Sequence, residues 1–173
     1  KESAALLYSA IVSNTINFKA NVTTDRDHKM SDWLQSQFEL PGNYIHEMFK
    51  FKSTFTQPLS EIIEGDFSTP EFRGIKVGIA QLEIVNAEEF VNENFLELKS
   101  IMNGLKIDRD LEYVFLTCID IEIGRNYFLA NNKNTQDVLE SVLNIKFETE
   151  IAQREGIIMR KEITPLLKAY LEN

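Results

Sequence analysis

The stretch that decides the fold is Tyr113-Val114-Phe115-Leu116-Thr117-Cys118-Ile119, a nearly uninterrupted apolar run. Such a run predicts an inner β-strand that is covered on both faces. Residues 127–130 predict a neighbouring strand after a turn near Gly124. Residues 75–85 alternate well enough for a further strand, in which Gly78 marks a bulge or a close backbone approach. The middle of the chain is therefore expected to form a sheet.

Helical patterns flank these strands. Thr24 is a predicted N-cap, with Asp27 three residues later in a variant of the capping box, and Met30, Trp33, Leu34 and Phe38 are the expected buried stripe of that helix. Further helices are predicted at 1–13, 44–52, 87–103, 135–144 and 164–172, with a short one from Pro58 to Gly65.

Two short segments complete the prediction. Residues 16–19 predict an extended piece in which Lys19 faces away from the apolar layer, and residues 156–159 predict a last strand. Strands mixed with helices on this scale indicate an α/β fold, with α+β as the alternative. We expect a single domain with a mixed sheet of about five strands packed against helices.

The composition and charge of the chain limit the classes of partner that it can bind. The chain has 173 residues, 43% of them hydrophobic, which suits one soluble domain with a substantial core. Lys and Arg number 18 against 27 Asp and Glu, so the net charge of −9 argues against nucleic acid or an anionic membrane as a partner. The single Cys118 cannot close an intrachain disulfide. With no bilayer-spanning run, we expect a cytoplasmic location.

Few residues carry a recognisable metal or catalytic pattern. His28 and His46 lack the spacing of a metal site, which favours surface histidines. No glycine-rich phosphate loop or nucleophile elbow is present. Asp120 with Glu122 is the one acidic pair that could bind a cation at a strand end, and solvated turn residues are the simpler interpretation.

The basic residues are more informative. Arg160 and Lys161 follow the predicted last strand and directly precede a helix start, an arrangement that suits phosphate because Arg offers a planar fork and Lys a point charge. An exposed loop is the alternative interpretation. An anionic ligand of so acidic a chain needs such a local cationic pocket.

Four segments, taken in order, resemble one family. They are Ala5 to Lys19 (ALLYSAIVSNTINFK) followed by Thr24 and Asp27, Val77 to Leu82 (VGIAQL), Leu116 to Ile121 (LTCIDI), and Arg160-Lys161 with Pro165 and Leu166. Together they resemble the DHHA2 domain, the C-terminal domain of the manganese-dependent family II inorganic pyrophosphatases and related exopolyphosphatases. The resemblance extends over 1–173.

The resemblance implies a division of labour in the parent protein. In that family an N-terminal DHH domain binds the metal ions and activates water, and the DHHA2 domain closes over it with basic residues. By this resemblance Lys19, Arg160 and Lys161 are expected to bind substrate. No catalytic or metal-binding residue is expected in this chain, which alone should be inactive. Mn²⁺, or Mg²⁺ or Co²⁺, is expected in the DHH domain, from which the helix at 1–13 would continue through a linker.

Departures from the family pattern keep alternatives open. Asn14 stands where the pyrophosphatases usually have Asp, Met159 where they have Ser, and Glu162 where they have a second Lys. The first expectation is a pyrophosphatase that hydrolyses diphosphate to two phosphates. The alternatives are an exopolyphosphatase acting on longer polyphosphate, or a non-catalytic regulatory or interaction module. A homodimer is one option for the parent.

Overall fold

The computed structural model describes residues 2–173 and shows a mixed sheet packed with helices on both faces. The strands are β1 (Phe67–Ser68), β2 (Glu71–Phe72), β3 (Ile75–Ile84), β4 (Tyr113–Asp120), β5 (Arg125–Leu129) and β6 (Ile151–Glu155). The helices are α1 (Glu2–Thr15), α2 (Asp25–Gln35), α3 (Tyr44–Lys52), α4 (Leu59–Gly65), α5 (Ala87–Glu93), α6 (Phe95–Asp108), α7 (Lys133–Leu143) and α8 (Arg160–Leu171).

The sheet is built around β4. Its order is β1-β3-β4-β5-β6, with β2 paired to one end of β3. β4 runs parallel to β3 and antiparallel to β5, and its residues 114–120 are all buried. The parallel pair requires a crossover, which α5 and α6 provide. The prediction of an inner strand in a mixed α/β sheet is confirmed.

Alternate residues of β4 serve different cores. Leu116 and Cys118 pack with α5 and α6 on one face, whereas Phe115 packs with α7 and α8 on the other. Ile119 lies under α1 and α3, in a third cluster at the end of that face. Burial raises the pKa of the Cys118 thiol, as expected for an inert core cysteine. None of the helices within 2–173 is long and apolar enough to cross a membrane.

The prediction of a strand at 156–159 is wrong. The last strand is β6, which ends at Glu155, and α8 already begins at Arg160, four residues before the predicted start. The backbone of Ile158 bonds to a side chain instead of a strand, because Asn126 accepts from its N–H (3.0 Å) and donates to its carbonyl (2.8 Å). Pro165 consequently lies inside the helix and not in its first turn.

The extended segment predicted at 16–19 is also wrong. Ile16, Asn17 and Phe18 have φ values of 50°, 50° and 63°, in the left-handed region. This run folds back on the end of α1, where the Asn17 N–H bonds the Val12 carbonyl at 2.8 Å. Buried Ile16 belongs to the cluster under α1, whose packing offsets the strain of a β-branched residue at positive φ. Lys19 is exposed, as its predicted outward orientation requires.

Two predicted helices differ in detail. The helix expected at 87–103 is two helices, α5 and α6, which meet at Asn94. In α2 only Leu34 of the expected stripe is buried, because Met30 and Trp33 border a groove against α1 and stay 39% and 58% exposed. Apolar residues three and four positions apart identify the helix. They do not show how much of its apolar face a neighbouring helix covers.

Gly78 is required by close packing on β3. A Cβ atom at this position would lie 2.6 Å from Leu111 Cδ1 and 2.6 Å from Phe67 Cζ. The close approach predicted for Gly78 therefore comes from neighbouring side chains, not from a backbone.

Candidate anion-binding site

The start of α8 is fixed by side chains from three other parts of the chain. Asn21 Nδ2 donates to the Ile157 carbonyl at 3.3 Å, and Asn126 holds Ile158 as described above. The N–H of Arg160 donates to Gln81 Oε1 at 2.7 Å. Glu162 of the helix itself accepts from the Met159 N–H at 3.0 Å. The backbone that carries the predicted basic pair is thus hydrogen-bonded at four successive residues.

Arg160 and Lys161 lie in the first turn of α8 rather than in a loop. Among residues 2–173, the Arg160 guanidinium hydrogen-bonds to one residue, Asp66, with Nη1 donating to the backbone carbonyl (2.6 Å) and Nη2 to Oδ1 (2.5 Å). A guanidinium has five N–H groups, so three remain for another acceptor. Lys161 is exposed beside it.

Lys19 reaches a different acceptor. Its ammonium donates to the backbone carbonyl of Glu122, in the turn after β4. The carboxylate of Glu122 in turn pairs with His46 Nδ1 at 2.6 Å. Lys19 and Arg160 therefore do not share an acceptor in this structure.

The segments that carry Lys19 and the basic pair are nevertheless adjacent. Asn21, two residues after Lys19, contacts both the Ile157 carbonyl and Glu162 Oε1, the latter at 3.1 Å. The chain thus joins residues about 140 positions apart at one end of α8. The segment that contains Lys19 is therefore adjacent to the first turn of α8, which contains Arg160 and Lys161.

Asp120 is not a solvated turn residue. It is only 3% exposed, and its carboxylate accepts from the N–H groups of Ala87, Glu122 and Ile123, each at 3.0 Å. These bonds anchor α5 and the β4–β5 turn, so the carboxylate already has its partners. Asp120 and Glu122 consequently do not form a cation site.

The described residues do not fit a manganese ion. Within 2–173, no three His, Cys, Asp or Glu side chains lie close enough together to hold a metal. Mn²⁺ needs several oxygen or nitrogen ligands at once, which the described part of the chain does not assemble.

Sequence reasoning missed the residues that organise Arg160. Gln81 and Asn126 are polar side chains inside buried strands, a signal that could have flagged them because buried amides need partners. Asp66 carries no such signal, since an acid in a short exposed loop is ordinary. Only the folded chain shows that its side chain and carbonyl meet the same guanidinium.

Comparison with known proteins identifies the family. A family model described as the DHHA2 domain matches residues 46–170. The manganese-dependent inorganic pyrophosphatase of Methanocaldococcus jannaschii is 33% identical, over 96% of this chain and 55% of that protein. The manganese-dependent inorganic pyrophosphatase of Methanothrix thermoacetophila is 27% identical, over 98% and 56%. A cobalt-dependent inorganic pyrophosphatase of Clostridium perfringens is 29% identical, over 94% and 30%.

A solved structure agrees with the fold. The crystal structure of a Methanococcus jannaschii protein assigned as a family II inorganic pyrophosphatase superposes with a TM-score of 0.82 at 28% identity, covering 98% of this chain and 56% of that one. The chain spans about half the length of the manganese-dependent relatives that it matches. With a family model that covers most of its residues, the chain belongs to the DHHA2 domain family.

Proposed function

We propose that this chain is the substrate-binding domain of a manganese-dependent inorganic pyrophosphatase, and that Lys19, Arg160 and Lys161 bind the diphosphate. The catalytic metals and the attacking water belong to a DHH domain of the parent protein. The proposal extends to this chain what the names of its relatives say of them. The parent would hydrolyse diphosphate to two phosphates in the cytoplasm.

The observation that carries the proposal is the Asn21 bridge. It ties the segment of Lys19 to the first turn of α8, so two distant parts of an acidic chain that each contain a candidate cation are adjacent. Cations spread over bridging and terminal oxygens stabilise the charge that develops in phosphoryl transfer. A domain that brings them in by closing would do so only when substrate is bound.

A substrate panel tests the proposal. The full-length protein, loaded with Mn²⁺, is assayed with diphosphate, triphosphate and longer polyphosphate, and phosphate release is followed. The proposal expects the highest kcat/KM for diphosphate. Preference for long chains would assign an exopolyphosphatase, which Glu162 in the place of a family Lys favours. Absence of turnover with every substrate would support the interaction module instead.

A further inference from the structure

Arg160 differs from the other two candidate cations because both its backbone N–H and its guanidinium donate hydrogen bonds to side chains or backbone of other segments. Its backbone N–H donates to Gln81 Oε1 at 2.7 Å, and its guanidinium donates twice to Asp66. We propose that Asp66 and Gln81 are positioning residues, which fix Arg160 in one orientation before the anion arrives. This inference rests on the proposed function, in which Arg160 binds diphosphate.

Asp66 suits this role by its geometry. It lies between α4 and β1 and offers two acceptors, its carbonyl and its carboxylate, to the two Nη atoms of one planar fork. Two parallel bonds set the plane of a guanidinium, which a single acceptor does not. The rotamer freedom of the long side chain is thereby lost before binding, so the anion does not have to supply that ordering.

Gln81 fixes the other end through a chain of contacts. Its side chain, on β3, is buried, and its Nε2 donates to Glu83 Oε1 at 3.0 Å. Glu83 is in turn paired with Lys52 at the end of α3, at 2.7 Å. The amide oxygen of Gln81 is therefore directed at the first N–H of α8, which has no partner within a helix. The position of this helix start is thus coupled to the sheet and to α3.

A double-mutant cycle tests the role of Asp66. Asp66→Ala, Arg160→Ala and the double variant are made in the full-length protein, and kcat/KM is measured for Mn²⁺-dependent diphosphate hydrolysis. Loss of a residue that positions a substrate-binding side chain is expected to lower kcat/KM by up to about 100-fold. In the Arg160→Ala background, Asp66→Ala should change kcat/KM less than about twofold, because nothing is left to position.

Glu64→Ala is the matched control. Glu64 is as exposed as Asp66 (52% against 51% of the side chain) and also pairs with an arginine, Arg109 at 3.3 Å, but it does not touch Arg160. Its kcat/KM should stay near that of the unsubstituted protein. A change as large as that of Asp66→Ala would overturn the proposal, because any broken surface ion pair would then do the same.

Gln81 is tested by the same kind of cycle. Gln81→Met is similar in size and removes the acceptor of the Arg160 N–H. We expect kcat/KM to fall with Gln81→Met in the unsubstituted protein and to change less than about twofold when Arg160→Ala is already present, with melting temperature recorded for each variant. Equal losses in both backgrounds would mean that Gln81 acts only through folding and would overturn its assignment.

The remaining outcomes separate the two proposals. If Arg160→Ala leaves kcat/KM unchanged, the proposed function fails and this inference fails with it. If Arg160→Ala is damaging but the effects of Asp66→Ala and Arg160→Ala are additive, only the inference fails. A rise in kcat/KM with Asp66→Ala would also overturn it, since Asp66 would then compete with the anion for the guanidinium.

Discussion

The carboxylate of Glu162 is satisfied inside the protein. It accepts from the Met159 N–H at 3.0 Å and from Asn21 Nδ2 at 3.1 Å. This residue stands where the family pattern has a second Lys, and sequence alone presents it as a repulsive charge beside an anion site. Its contacts show that it closes the start of α8 and ties it to the segment after α1.

Glu162→Lys should therefore lower the free energy of unfolding, because it removes the acceptor of the Met159 N–H. Loss of a hydrogen-bond partner of this kind costs about 1–2 kcal/mol. Glu162→Gln keeps an acceptor oxygen and is the control. The midpoint of urea denaturation is the measurement. Equal midpoints for the Lys and Gln variants would show that the carboxylate does not hold the helix.

The lowered pKa of Asp27 predicts how the stability of the domain depends on pH. Thr24 caps α2 as predicted, and hydrogen bonds from its side chain and backbone hold the pKa of Asp27 below its usual range. A lowered pKa in the folded state adds stability at pH above the unfolded-state pKa, and this contribution is lost as the pH falls through the folded-state pKa.

Thr24→Ala removes the hydroxyl from this cap. The pKa of Asp27 should rise towards its ordinary value, and the lost N-cap should cost about 1 kcal/mol of stability at neutral pH. Thr24→Ser keeps the hydroxyl and should retain both. The measurement is an NMR titration of the Asp27 carboxyl together with thermal unfolding. An unchanged pKa in the Ala variant would contradict the account.

At the scale of elements, the predictable parts are those whose pattern is local. The strand at 113–119 is confirmed because a strand buried on both faces appears in the sequence as an unbroken apolar run. The helix at 44–52 is confirmed because its apolar residues recur with a period near 3.6. The apolar run at 156–159 has the same sequence pattern as a buried strand. Their hydrogen bonds go to side chains such as Asn126, 32 positions away, and nothing local records that.

The hairpin between β2 and β3 carries a prediction of its own. Phe72 and Ile75 are paired, so Arg73 and Gly74 form a two-residue turn, with φ values of 49° and 84°. Both residues at positive φ define the turn type that favours Asn-Gly. Arg73→Asn should raise the free energy of unfolding by about 0.5–1 kcal/mol, since Asn tolerates the left-handed region better.

Chemical denaturation measures this effect, and Arg73→Ala serves as the control because it removes the same side chain without easing the backbone. Stabilisation by Ala equal to that by Asn would mean that the arginine side chain, not its conformation, is the cause.

At the scale of the whole molecule, the two faces of the sheet pack against different helices. One face packs with α5 and α6, and the other packs with α8 and the segment after α1, which contain the candidate cations in their sequence. Resemblance to a family pointed to Lys19, Arg160 and Lys161 from the sequence. It could not show that Arg160 is held by Asp66 and Gln81, because those contacts span 94 and 79 positions.

The 173-residue chain alone should not hydrolyse diphosphate in the presence of Mn²⁺. Residues 2–173 assemble no group of three metal ligands, and the proposed function assigns the metals and the attacking water to the DHH domain. Phosphate release by the purified chain is compared with that of the full-length protein at equal concentration. Turnover by the chain alone that survives further purification would contradict this division.

The most direct test of the central claim is kcat/KM for diphosphate in the full-length protein with Arg160→Ala, beside Lys19→Ala and Lys161→Ala. Arg160→Ala should be the most damaging, because no neighbour replaces a bidentate donor. A contact of this kind is worth on the order of 2–4 kcal/mol, so we predict a fall of roughly 30- to 1,000-fold in a variant that is still folded at the assay temperature. A kcat/KM within about twofold of the unsubstituted protein, or a loss that only follows unfolding, would contradict the claim.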